Sequence, residues 1–272
     1  MYEFLAKALL NIKGNIKFIE LKEPRCKIYL PDDTIWALLR EIYLLKIYGD
    51  IENLNGIVID AGAHCGSFSI PVSFYAKEVI AIEPNPTILK ILELNKLINS
   101  RENIKILPYA LYYKKEKVKL KLEEFSEYNS INEKWGFEVQ TITLDEILEN
   151  YDEISLLKID IEGAEFDVLL NTKPENLRKI KRIVGELHYE NENLRDKLKN
   201  YLTSIGFDFV EIEKSNVYTP TSILKALRNS KNIKGNAFNK LLNYLYLILP
   251  IRKPIISSIK KEKVTSFECK ML

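Results

Sequence analysis

The sequence predicts an α/β fold: a mostly parallel seven-stranded sheet with helices on both faces and a C-terminal antiparallel strand. Three observations predict it. Between residues 56 and 212, short β-branched runs alternate with helix-length amphipathic stretches, the pattern of successive βαβ units. The run VIDAGAHCGSFSI, Val58–Ile70, ends a strand in Asp60 and turns through Gly62 and Gly66 into a helix. A second apolar run, VIAIEPNP, Val79–Pro86, ends in another acid, Glu83, before Pro84-Asn85-Pro86 stops the strand.

Taken along the chain, Ile16–Leu30 reads as two short strands. Asp32 or Asp33 then caps a helix running to about Tyr48, with Ile35, Leu38, Leu39, Ile42 and Leu45 on one face. Residues 1–50 thus form an N-terminal cover. The sheet strands follow as Gly56–Asp60, Val79–Glu83, Ile104–Leu111, Leu156–Ile161, Lys181–Leu187, Phe207–Ile212 and a returning Val264–Leu272. Leu89, Leu92, Leu94, Leu97 and Ile98 mark the helix after the second strand, ended near Asn99. VKLKLEEF alternates, with Val118, Leu120 and Leu122 on one face, which makes the stretch after Tyr112 an inserted hairpin or edge strand. Thr143-Leu144-Asp145-Glu146 opens a further helix with a capping signature.

The main domain therefore covers 51–215 plus 264–272, with 216–263 as a basic helical insertion. Between Ser222 and Lys263 ten basic residues face one acid, Glu262, a local charge of +9 within a chain whose net charge is +2. Phe238–Leu249 within it is apolar on nearly every face. Such a helix packs as a lid, forms a dimer interface or lies on an anionic membrane. No stretch reaches about 18 apolar residues in a row, and the apolar run near the N-terminus is too short for a secretory signal. Three cysteines without a C-x-x-C pair indicate neither a disulfide framework nor a zinc site. The expectation is a cytoplasmic protein without a metal, in contact at most with the inner membrane face through 222–263.

The chemistry follows from the strand ends. DAGAHCG has the spacing of a nucleotide-binding turn, but Asp60 places an anion where a pyrophosphate would sit. Asp60 suits a cation, so the ligand expected is S-adenosylmethionine, a nucleoside with an ammonium, a sulfonium and no phosphate. Gly62 lets such a ligand approach the backbone. Glu83, 23 positions on, can accept hydrogen bonds from both ribose hydroxyls. A DxGxxxG run alone is also an ordinary β-to-α turn; the acid and proline stop at Glu83-Pro84 raise it above that. In KIDIEGAE, Lys158, Asp160 and Glu162 alternate along a strand end and are expected to project from one face before Gly163 turns the chain. Glu186 and His188 likewise share a face of the next strand. His188 is a base by its ordinary pKa or a structural histidine, and Glu186, Glu162 and Asp160 compete for the base role.

Together, DAGAHCG, AIEPNP, LELNKLIN, Ala110-Leu111, TITLDEIL, KIDIEGAE and ELH resemble the FkbM-like family of S-adenosylmethionine-dependent methyltransferases from about Val58 to His188. The resemblance implies a Rossmann-like class I methyltransferase fold. It implies that Asp60, Gly62 and Gly66 line the methionine end of the cofactor, Glu83 the ribose and Asn85 the adenosine neighbourhood, with Ala63, His64, Pro84 and Ala110 also among the cofactor-binding residues. Asp160 and Glu162 would lie between cofactor and acceptor, with Glu186 and His188 on the acceptor side. His64 departs from the family's usual asparagine, though both residue types tolerate a left-handed turn. The implied function is O-methylation of a hydroxyl on a sugar, glycan or related small molecule. An RNA methyltransferase is the alternative, with the basic segment as its footprint, but that segment lacks the interleaved aromatics of a single-strand binder. A non-catalytic cofactor-binding scaffold is the third reading, and cofactor turnover separates it from the other two.

Overall fold

The computed structural model describes residues 16–22, 24–31, 48, 51–120, 137–189, 192–212 and 263–271. The expected helix from Asp32 to Tyr48, apart from Tyr48 itself, Leu122 of the alternating stretch, and the basic segment up to Glu262 fall outside these residues.

The elements in chain order are β1 (Ile16–Lys22), β2 (Arg25–Pro31), β3 (Ile57–Ala61), α1 (Ser69–Val72), β4 (Glu78–Ile82), α2 (Pro86–Ile98), β5 (Ile104–Leu107) and β6 (Ala110–Leu111). They continue with β7 (Lys117–Leu120), β8 (Phe137–Ile142), α3 (Leu144–Leu148), β9 (Leu156–Ile159), α4 (Glu165–Asn171), α5 (Pro174–Leu177), β10 (Arg182–Tyr189), α6 (Glu192–Ser204), β11 (Phe207–Ile212) and β12 (Lys263–Met271). Seven of the strands form one sheet in the order β11-β12-β10-β9-β3-β4-β5. The central pairs are parallel and β12 runs antiparallel to both β10 and β11, as expected from the returning C-terminal run. The two short strands expected over Ile16–Leu30 form as β1 and β2 and pair antiparallel as a hairpin, and β6, β8 and β7 make a small separate sheet.

Side-chain alternation sorts the core onto the two faces of the sheet. Val58, Val79, Leu156 and Val184 pack with Ile88, Ile91 and Leu92 of α2 and with Ile28 and Leu30 of the hairpin. Their neighbours Ile59, Ile80, Leu157 and Ile183 point to the opposite side, against Leu144 and Leu148 of α3, Phe166 and Leu169 of α4 and Leu198 and Leu202 of α6. Leu198 and Leu202 stand one helical turn apart and are fully buried, each worth about 1.5–3 kcal/mol by area. The capping box at Thr143 forms as its sequence predicts: its hydroxyl accepts the Glu146 N–H at 3.2 Å and Glu146 accepts the Thr143 N–H at 3.1 Å.

Two strands differ from the sequence reading. Ile104–Leu111 divides into β5 and β6, because Pro108 brings no N–H to the ladder and Tyr109 turns back onto Leu107 O at 2.9 Å. β9 ends at Ile159 rather than Ile161, because Glu162 (φ 56°) and Gly163 (φ 107°) are both left-handed. Of Lys158, Asp160 and Glu162, only Lys158 therefore lies within the strand itself. The chain leaves β3 toward β4 and β5 on one side, then resumes at β9 and β10 on the other. The gap between β3 and β9 is the switch point at which open α/β sheets bind ligands, and both charged loops open onto it.

Candidate active site

The loop after β3 is hydrogen-bonded to β4 and strained. The N–H groups of Gly62 and Ala63 both donate to Ile82 O, at 3.1 and 2.9 Å, and Gly66 N–H donates to Ala63 O at 2.8 Å. Gly62, His64 and Gly66 have φ of 77°, 51° and 85°. A side chain at Gly62 would stand 1.8 Å from Asp160 O, so that position admits only glycine. The left-handed histidine costs on the order of 1 kcal/mol and persists because its surroundings determine it. Its N–H donates to Glu83 Oε2 at 2.9 Å, while Glu83 Oε1 accepts the Asn85 N–H at 2.8 Å. Burial pushes the Glu83 carboxyl up to about 7 against the pull of those two N–H groups. Each oxygen retains a lone pair for a ligand. Burial likewise lowers His64 to about 4, so its ring is neutral, and Nε2 is buried without a partner among the described residues.

Asp60 is fully buried. Its Oδ2 accepts the Ser69 hydroxyl at 2.6 Å, and its Oδ1 lies 3.3 Å from Lys158 Nζ. Lys158 stands beside Asp60 in the register of β3 and β9, and donates to Gly62 O at 2.9 Å. Burial raises Asp60 while Lys158 and Ser69 pull it down. Burial also opposes the Lys158 charge, but Asp60 and Asp160 more than offset it. The ionic partner of Asp60 is thus a lysine of the chain. Asn85 caps α2, its Oδ1 accepting the Thr87 N–H at 2.9 Å, with Pro84 half-buried before it. Ala110 is buried in β6 beside Thr141.

On the other side of the switch point, Glu165 organises the turn. It is fully buried at the start of α4, where its Oε1 accepts the Ile161 N–H at 3.0 Å and its Oε2 the Gly163 N–H at 3.1 Å. The carboxylate fills a nest of its own backbone N–H groups at the positive end of a helix. Glu165 Oε1 also lies 3.0 Å from His188 Nδ1, and Glu162 Oε2 lies 3.4 Å from His188 Nε2. Burial alone would lower His188, but the hydrogen bond and charge of Glu165, with Glu162 and Asp160 behind, raise it to about 9. Burial raises Glu162 to about 8 against the pull of His188. His188 therefore lies above the ordinary imidazole value on which its reading as a base was founded, set between Glu165 and Glu162. Glu186, two residues earlier on β10 and 7% exposed, adds negative charge that helps to raise Glu162.

Tyr48 closes this side, its hydroxyl 3.4 Å from Asp160 Oδ2 and its ring 5.6 Å from Lys158 Nζ. Asp160, Glu165 and His188 each offer a donor atom within 4.8 Å of the others, a spacing that could hold a cation. Sequence reasoning named His188, Glu162 and Asp160 but missed Glu165, although an acid just after a glycine turn at a helix start was a usable signal. It also missed the pairing of Lys158 with Asp60, which only register shows.

The matched family model is the methyltransferase FkbM domain, over residues 60–209. Methyltransferase sdnD of Sordaria araneosa is 27% identical over 212 residues, covering 63% of this chain and 81% of that protein. Among solved structures, an rRNA methylase from Streptococcus thermophilus aligns with a TM-score of 0.43 at 11% identity, over 82% of this chain and 91% of the other. A protein of Streptococcus mutans assigned as a methyltransferase and crystallised with SAH aligns at 0.43 and 12% identity, over 84% and 97%. The chain belongs to the FkbM methyltransferase family and is an S-adenosylmethionine-dependent methyltransferase.

Proposed function

We propose that this FkbM-family enzyme methylates a hydroxyl of a sugar, glycan or related small molecule. The observation that carries the reading is His188, held at Nδ1 by Glu165 at 3.0 Å and facing Glu162 at Nε2 across 3.4 Å. S-adenosylmethionine, when bound, supplies a methyl group on a sulfonium whose departure needs no acid. The residues present fit it. Gly62, Ala63, His64 and Gly66 all commit their N–H groups within the protein, so the loop offers no phosphate cradle. The acids Glu83 and Asp160 suit a cationic nucleoside. Glu83 accepts from the ribose; the Gly62–Gly66 backbone, braced from behind by Asp60 and Lys158, lines the methionine end. Pro84, Asn85 through its backbone, and Ala110 border the adenosine.

On the acceptor side, the Glu162–His188 pair accepts the hydrogen bond of the hydroxyl and takes its proton once that pair has released its own, with Asp160 lining the same side. Asp160, Glu165 and Glu186 make this side acidic, which favours a neutral acceptor over a polyanion such as RNA. No helix among the described residues is long and apolar enough to cross a membrane, and peripheral contact through 222–263 stays part of the proposal for lipid-linked acceptors. The test is labelled-methyl transfer to parallel panels of glycosides, lipid-linked glycans and RNA. Transfer to hydroxyls of the first two is expected, with His188→Gln slowing it about 100-fold or more at near-unchanged cofactor affinity. Methylation of RNA alone, or full rate in His188→Gln, overturns the reading.

A further inference from the structure

Asn95 stands in the apolar face of α2 with its side chain fully buried. Its Oδ1 accepts the Tyr29 N–H at 2.7 Å, and its Nδ2 donates to Tyr29 O at 2.7 Å and to Cys65 O at 2.8 Å. One helical turn on, Asn99 repeats the first half of this pattern. Its Oδ1 accepts the Lys27 N–H at 2.8 Å and its Nδ2 donates to Lys27 O at 2.6 Å. Two amides four residues apart on a helix thus pair with two residues two apart on β2, in place of a neighbouring strand.

The two asparagines differ in their third bond. The second donated bond of Asn99 goes to Asn95 O, in its own helix, at 2.7 Å. That of Asn95 leaves the helix for Cys65, which sits between the left-handed His64 and Gly66. A side-chain amide is planar, with its N–H directions fixed. The two bonds to Tyr29 therefore set where the third bond points.

We infer that Asn95 is a positioning residue for the cofactor loop, through which docking of β2 on α2 fixes the Cys65 carbonyl and with it the fit of the loop to S-adenosylmethionine. The inference rests on the reading of this loop as the cofactor site. Because coupling between two sites is reciprocal, the cofactor tightens the docking of β2 by the same factor.

The experiment is amide hydrogen exchange across β2, with and without S-adenosylhomocysteine, beside calorimetric binding of the same compound, on the full chain and on Asn95→Ala and Asn99→Ala. In the wild type the ligand should slow exchange of the β2 amides about 5-fold or more. Asn99→Ala should loosen Lys27 yet keep both the affinity and the ligand-induced slowing at Tyr29. Asn95→Ala should lose the slowing across β2 and bind about 10-fold more weakly. A residue that served only to hold α2 together would leave the ligand-induced slowing intact. Ligand binding to the wild type with no change at β2, or wild-type affinity in Asn95→Ala, overturns the proposal. Should Asn95→Ala not fold, the wild-type and Asn99→Ala exchange data decide. Failure of the wild type to bind the ligand at all would overturn the cofactor-site reading, and this inference with it.

Discussion

Replacing Glu165 by glutamine tests the electrostatics of the acceptor side most directly. The substitution keeps Oε1, which accepts the Ile161 and Gly163 N–H groups, and removes the charge 3.0 Å from His188 Nδ1. Burial lowers His188 and the surrounding acids, Glu165 first among them, bring it from 6.5 to about 9. At 3.0 Å an effective dielectric of about 20 gives an attraction of roughly 5 kcal/mol before solvent and relaxation reduce it. Losing about 2 pH units, or about 3 kcal/mol, on substitution is consistent with that bound. The assay is an NMR titration of the imidazole carbons. The chain has two histidines, and His64 is held at about 4 by burial, so the two curves separate by midpoint. Glu165→Gln should move the upper midpoint to about 7 or below and leave the lower one in place, and the rising, acid-side limb of the pH–rate profile should move down with it. A wild-type midpoint near 6.5, or an unmoved one in the variant, refutes the reasoning.

Glu83→Ala should weaken S-adenosylhomocysteine binding by roughly 1.5–3 kcal/mol by calorimetry, the worth of a hydrogen bond to a charged group; unchanged affinity removes Glu83 from the cofactor site. Lys158→Met strips the cation from Asp60 at zero exposure and should cost about 3–5 kcal/mol in urea unfolding. Asp60→Asn added to it should restore much of the loss, and a double variant no better than the single contradicts the pairing. For pH, a histidine raised from 6.5 to about 9 stabilises the fold fully below 6.5 and loses that contribution as pH rises through 9. Glu162, raised from 4.5 to about 8, acts in the same direction. Unfolding free energy should therefore fall by at most about 3 kcal/mol from His188 between pH 6.5 and 9, and His188→Gln should flatten the slope.

Some of this was settled by neighbours along the chain. Strand–turn–helix periodicity, the glycines of DAGAHCG, the proline stop after Glu83 and the capping box at Thr143 act within a few residues, so the sequence determined the sheet, its helices and the loops that carry charge. It also placed His188 and Glu162 at the ends of adjacent strands. Only the tertiary structure decided what those charges meet. Asp60 meets Lys158 across the register of β3 and β9, Glu165 meets His188 between α4 and β10, and Asn95 joins β2 to the glycine loop after β3. Two consecutive left-handed residues, Glu162 and Gly163, turn the chain soon after β9 ends at Ile159. These outcomes lay beyond local pattern because hydrogen bonds and ion pairs depend on register and burial. Register is fixed by how whole faces pack; the neighbouring acids then raised His188, and burial raised Glu162, far from the values their side chains have in water.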